Sequence, residues 1–286
     1  MEYLIHIAIV VAVYSALALS LDILGGHAGL YSMSQAAFWG IGAYASAILS
    51  TQYGACLASS MAIGITISVL FSLCLSIPSL RIRDDYFILA TLGIQIILTS
   101  LMTNLQRLTG GPLGITDIPP LSLLAANSQF SSLFLAAGLL LVIVLVYHTL
   151  IRSGFGRVLH VIREDEQLGL ALGKNVLITK VAAFALSAAV ASCVGSLWAR
   201  YITYIDPSTF TVSDSLLIIS MVLIGGAGSI RGVIAGASIL VVLPEALRFL
   251  GMPSAIAAQM RQMLYGAGLV CMLLFRPQGI LGKRGQ

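Results

Sequence analysis

The chain has 286 residues, of which 58% are hydrophobic and only 26 carry a formal charge, 15 basic and 11 acidic. Soluble proteins carry about 25% charged residues against 9% here, and a soluble domain of this length lacks the interior to hide so much apolar side chain. A transmembrane barrel is excluded as well, because its strands alternate apolar and polar. The sequence therefore reads as an all-α integral membrane protein with a single transmembrane domain over residues 1–286.

In chain order, about nine hydrophobic spans are expected, near 3–24, 28–50, 56–77, 86–103, 130–150, 181–203, 213–227, 230–250 and 262–276. Each approaches the ~20 residues that an α-helix needs to cross a bilayer, although the second, seventh and eighth are short or glycine-interrupted. The first follows only Glu2, without the basic flank of a cleaved signal peptide. Cys56, Cys74, Cys193 and Cys271 are scattered through apolar stretches without metal-ligand spacing and read as core thiols. His27, His148 and His160 likewise have no partner at metal spacing.

Basic residues report orientation. With the N-terminus outside, nine crossings place eleven of the 15 basic residues on the inside, among them Arg81, Arg83, Arg152, Arg157, Arg163, Lys174, Lys180 and Arg231, and leave only Arg107, Arg200, Arg248 and Arg261 outside. That asymmetry predicts N-out, C-in. Asn104–Gln129 then forms an external loop, ordered by Thr109-Gly110-Gly111-Pro112 and Pro119-Pro120. The internal loop 152–180 holds eight of the 26 charges. Its apolar residues Val158, Val161, Ile162, Leu168 and Leu172 recur at helical spacing, which predicts a short amphipathic helix outside the membrane. A solvated connector is the plainer alternative.

Glycine marks two further places. Gly25-Gly26-His27-Ala28-Gly29 and Gly225-Gly226-Ala227-Gly228 interrupt apolar runs. Such breaks point either to a transport pathway with discontinuous helices or to close helix packing. Asp22 stands beside the first break at the inner end of its span, where an intramembrane carboxylate is expensive and functional by default, with a merely interfacial residue as the plainer alternative. Asp214 and Glu245 lie near predicted outer ends, and Gln35 and Gln95 sit inside spans, facing either a cavity or a neighbouring helix. There is no GxxxxGK[ST] phosphate loop, so ATP binding by this chain is not expected. No catalytic constellation, cofactor site or metal site is legible, and the net charge of +4 reports orientation rather than a nucleic-acid partner.

Several pieces together resemble the branched-chain amino acid ABC-transporter permeases of the LivM type. They are Ala36-Ala37-Phe38 with Gly40-Ile41-Gly42-Ala43-Tyr44, Asp85-Tyr86-Phe87, Leu108-Thr109-Gly110-Gly111-Pro112, Phe155-Gly156-Arg157-Val158 with Ile162-Arg163-Glu164-Asp165-Glu166 and Gly173, Gly225-Gly226 with Gly228-Ser229, and Leu274-Phe275-Arg276-Pro277-Gln278-Gly279. They keep their family order over nearly the whole chain. The resemblance implies an ABC importer permease fold with inverted repeats, in a bacterial inner membrane. It also implies a second homologous permease subunit, two ATPase subunits and an extracytoplasmic solute-binding protein as partners.

On that basis loop 152–180 contains a coupling helix, with Arg157, Arg163, Glu164, Asp165, Glu166 and Gly173 meeting an ATPase. Asp22, Gly25, Gly26, Gln35, Gly225, Gly226 and Gly228 fall to the translocation pathway. The cargo implied is a branched-chain or other hydrophobic amino acid. Departures from the family pattern keep other solutes, such as urea or an amide, open: Ser32-Met33-Ser34-Gln35 in the second span, Ile96 and Thr99 in the fourth, and Asp22 where an asparagine is usual. A self-sufficient secondary transporter or channel and an intramembrane enzyme are the readings from other classes.

Overall fold

The computed structural model describes residues 2–79, 84–120, 128–248, 263, 265–268, 270 and 279–280. Arg81, Arg83 and Cys271, the tip of the 104–129 loop and most of the ninth expected span lie outside them. The described residues form helices and connectors, with one isolated antiparallel bridge between Ile115 and Ile205.

The helices are α1 (Glu2–Ala28), α2 (Gln35–Tyr53), α3 (Leu57–Ser79), α4 (Asp84–Asn104), α5 (Gln106–Thr109), α6 (Ser128–Arg152), α7 (Gly154–Glu164), α8 (Glu166–Ala171), α9 (Val176–Ile202), α10 (Val212–Gly225) and α11 (Ile230–Arg248). Among the described residues six stretches are long and apolar enough to cross a membrane: Glu2–Ala28, Leu57–Ser76, Tyr86–Asn104, Phe130–Arg152, Val176–Ile202 and Pro207–Gly225. The chain is thus a multi-pass, all-helical membrane protein.

The second expected span differs from its forecast. Residues 29–34 are not helical, and α2 begins only at Gln35. Nearly all of α2 is buried between α1, α3 and α9. A helix enclosed by protein has no need of a lipid-compatible surface, and α2 accordingly carries Gln35, Ser46, Ser50, two glycines and five alanines but a single leucine. Glycine lets it approach α9. A β-carbon on Gly42 would lie 2.6 Å from Ser192 Cα, and one on Gly195 would lie 2.8 Å from Ala43 N. Across this contact Ser196 Oγ donates to Gly42 O at 3.1 Å. Trp39 of α2 packs edge-on to Phe210, ring centroids 5.0 Å apart, and beside Trp198.

The connectors gather at two ends. At one, His6 Nδ1 lies 2.6 Å from Tyr201 Oη, Arg200 Nη2 donates to Ala55 O at 2.6 Å, and Ile115 meets Ile205. At the other, the ends of α1 and α6 meet α7 and the α10–α11 turn. His6 and Gly26 are twenty positions apart on α1, about 30 Å at 1.5 Å per residue, which matches a hydrocarbon core.

Candidate functional site

The end of α1 that carries Asp22 is a junction of four chain segments. α1 does not break at Gly25-Gly26 as the glycine cluster suggests; the helix runs on to Ala28 and stops at Gly29, whose φ is +74°. Two glycines in sequence still satisfy intrahelical hydrogen bonds when neighbouring helices hold them. Their purpose is approach. A β-carbon on Gly25 would meet the Tyr31 ring at 2.8 Å, and one on Gly26 would lie 2.6 Å from Gly228 N.

The second glycine cluster is a true break. α10 ends at Gly225; Gly226 and Gly228 have φ of +107° and +83°, regions that L side chains rarely adopt. The hairpin that follows is tight, because a β-carbon on Gly225 would lie 2.6 Å from Gly232 C and one on Gly236 would lie 2.7 Å from Gly225 N. Ile280 N donates to Ile224 O at 3.0 Å, and Gly279, with φ +82°, lies against Gly225 and Gly226. Gly279 thus lies directly against this break.

Asp22 holds the junction together. Its side chain is fully buried; Oδ2 accepts the Tyr147 hydroxyl of α6, and Oδ1 accepts Gly228 N at 2.8 Å. His27 Nε2 lies 2.9 Å from the same Tyr147 hydroxyl. Arg163, at the end of α7, donates from Nη1 to Gly26 O. A buried carboxylate unpaired by hydrogen bonds would be costly, and here both oxygens are occupied.

Loop 152–180 folds as two helices rather than one. Ser153 caps α7 by accepting Gly156 N at 3.4 Å. Asp165 leaves helical geometry and caps α8, accepting Gln167 N at 2.8 Å. α7 buries Gly156, Leu159 and Ile162, so Val158 and Val161 flank its buried stripe rather than centre it. α8 differs from α7: Leu168 and Leu170, with Leu172 just past its end, are 51%, 58% and 60% exposed. The four charged residues also divide. Arg163 turns inward to Gly26, Asp165 caps, and Glu166 Oε2 pairs with Lys180 Nζ at 2.7 Å, with Lys180 only 4% exposed. Glu164 is solvent-facing, 3.5 Å from His160, and Arg157 is exposed. Gly173, with φ +70°, makes the turn into α9.

Gln35 lies apart from this junction. Its Nε2 donates to Ser20 Oγ, while Ser187 Oγ donates to Ser20 O at 2.6 Å and sits 3.3 Å from Gln35 Oε1, so α1, α2 and α9 share one buried node. Gln95 caps α2 from α4: its Oε1 accepts Ala37 N at 2.8 Å and its Nε2 donates to Phe210 O at 2.8 Å. Both glutamines therefore make interhelical hydrogen bonds. Asp214 caps its own helix, accepting Thr211 N at 3.1 Å.

Tyr147, Lys180 and Arg200 carry much of this polar architecture and were not singled out by sequence. Tyr147 stands beside His148, Lys180 beside Thr179 and Arg200 beside Tyr201, each near the end of a long apolar helix, where polar residues are too common to stand out. Cys56 departs from the core-thiol expectation because it lies exposed in the α2–α3 connector, and Cys74 is exposed on α3. Among the described residues no group of three metal-ligating side chains stands together.

The chain matches, over residues 3–273, the family model described as branched-chain amino acid transport system / permease component. The chain belongs to this family. It is 32% identical over 302 aligned residues to the high-affinity branched-chain amino acid transport system permease proteins LivM of Salmonella typhimurium and Escherichia coli, an alignment covering 97% of this chain and 69% of each relative. A probable branched-chain amino acid transport permease protein LivM of Methanocaldococcus jannaschii is 26% identical over 78% of the chain and 66% of its own length. No solved structure gives a significant match.

Proposed function

We propose that this chain is the permease subunit of an ATP-binding-cassette importer in a bacterial inner membrane, translocating branched-chain or other hydrophobic amino acids delivered by a solute-binding protein. ATP hydrolysis falls to two separate ATPase subunits, and a second homologous permease completes the pore. Nine crossings, inverted repeats and an N-out, C-in orientation belong to the same reading, with 152–180 as the cytoplasmic coupling segment.

The observation that carries it is the junction in which Arg163 of α7 grips Gly26 while Asp22 grips Gly228. A force applied to α7–α8 from the cytoplasm would reach the glycine break between α10 and α11 within two hydrogen bonds. α8 supports a docking role, because exposed leucines outside the membrane call for a partner. Arg157, Glu164 and Gly173 border that surface, whereas Arg163, Asp165 and Glu166 hold its shape through their bonds to Gly26, Gln167 and Lys180. Asp22, Gly25, Gly26, Gly225, Gly226 and Gly228 form the inner end of the pathway, and Gln35 braces the helices around it. Full engagement of both Asp22 oxygens favours a mechanical tie over the ion relay of a secondary transporter.

The test is uptake by proteoliposomes holding the complete importer. ATP-dependent accumulation of labelled leucine, isoleucine or valine supports the reading. Uptake competed by urea or an amide but not by these amino acids reassigns the solute, and uptake without ATPase subunits overturns the importer.

A further inference from the structure

The outer face of α6 is a stripe of exposed apolar side chains, Phe134, Leu141 and Leu145, that continues along the same helical face into His148 and Arg152. α11 carries the matching face, with Ile239 and Val242 exposed and Arg231 at its inner end. The two faces converge on an open cavity of about 270 Å³ between the C-terminal end of α6 and the start of α11, lined by Tyr147, His148, Arg152, Gly228, Ser229 and Arg231. Among the described residues neither Arg152 nor Arg231 has a carboxylate partner. α11 begins at this cavity, adding the positive end of its dipole.

Two apolar rails ending in two guanidiniums have the layout of a phospholipid: acyl chains along α6 and α11, phosphate at the mouth. We propose that this cavity is a binding site for the phosphate headgroup of an anionic phospholipid. The site backs directly onto the junction, because Tyr147 and Gly228, which form its rear wall, are the two groups that hold Asp22. Lipid occupancy therefore braces the α6 end against the α10–α11 turn and tunes opening of that turn. Assignment to the inner leaflet rests on the orientation proposed above; the binding itself does not.

The experiment is native mass spectrometry of the full chain, alone and within the assembled transporter, titrated with phosphatidylglycerol, phosphatidylcholine or inorganic phosphate. One phosphatidylglycerol should be retained in preference to phosphatidylcholine. Arg152→Gln with Arg231→Gln should weaken it roughly thirtyfold, about a factor of five for each guanidinium. Arg152→Lys with Arg231→Lys, which keeps the charge and guards against a folding defect, should retain it within about threefold. Arg107→Gln with Lys174→Gln, an equal loss of charge elsewhere, should change nothing. Retention by the double glutamine variant, or an equal loss in the charge control, overturns the site. Inorganic phosphate displacing the lipid at equal concentration assigns the cavity to a free anion, and loss of the lipid on assembly assigns it to a partner subunit; either result overturns the proposal.

Discussion

The hydroxyl of Tyr147 donates to the carboxylate of Asp22 across 125 positions of chain, joining α6 to α1 where the α10–α11 turn takes the other carboxylate oxygen. Hydrogen bonds to charged groups contribute about 1.5–3 kcal/mol, and a buried acceptor left without its donor costs the protein a similar amount. Tyr147→Phe should therefore lower stability by about 2 kcal/mol in thermal unfolding. Asp22→Asn should cost less, since the amide can still accept from Gly228 N and donate to the Tyr147 oxygen. Combined, the two substitutions should cost at least about 1 kcal/mol less than their sum; simple additivity would show that the contact carries no energy.

The loop acids separate fold from docking. Glu164→Lys changes a solvent-facing residue, so it should leave unfolding untouched while weakening ATPase association and ATP-driven uptake, because like-charge juxtaposition at an interface costs several kcal/mol. Glu166→Lys instead faces the buried Lys180 ammonium and should destabilise the chain by about 1–3 kcal/mol. Pull-down of the ATPase together with a melting curve reads the two effects apart. A normal Glu164→Lys transporter would leave the loop a solvated connector.

Glycine at the break is required twice over. Gly226 has φ +107° and lies against Gly279, so Gly226→Val should block uptake while the complex still assembles and hydrolyses ATP without solute stimulation. Backbone strain of about 1–3 kcal/mol accompanies it. Gly266→Ala meets nothing within 4 Å and should behave as wild type. Normal transport by Gly226→Val places this turn off the pathway.

Cys56 offers a native reporter of sidedness. It lies exposed at the start of α3, and hydrogen bonds from the Ser59 side chain and backbone hold its thiol below the usual range. More thiolate is present at neutral pH as a result, so a membrane-impermeant maleimide added to intact cells should modify Cys56 faster than a model thiol, with the advantage fading as pH rises and both thiols ionise. A cysteine placed at Ser153 should react only from inside, and one at Gln129 from outside. Labelling of Ser153→Cys in intact cells would reverse the orientation.

How far these features were legible depends on what each residue's neighbours do. The apolar runs announced α1, α3, α4, α6, α9 and α10, because lipid-facing helices must be apolar whatever they pack against. α2 was harder to delimit: its start is set by Gln95 and Ser215 capping from other helices, which no local pattern records. The glycine clusters looked alike in sequence yet differ in structure, since α1 keeps its helix through Gly25-Gly26 while α10 stops at Gly225. Asp22 stood out as a lone carboxylate, but its partners Tyr147 and Gly228 lie far along the chain. Arg163 reads as a surface charge until α7 is seen to lie against the end of α1.

The enclosure of α2 bears on how the protein is made. Its closest partner is α9, and the bond from Ser196 to Gly42 spans 154 positions. At 5–20 residues per second, synthesis leaves α2 waiting roughly 8–30 s for that partner. During that interval an alanine-rich helix bearing Gln35, Ser46 and Ser50, with few large apolar side chains to offer lipid, must be sheltered by α1, α3 or the insertion machinery. Maturation of this permease is thus set by the arrival of α9, and truncation before Val176 should leave a nascent chain marked for degradation rather than a partial bundle.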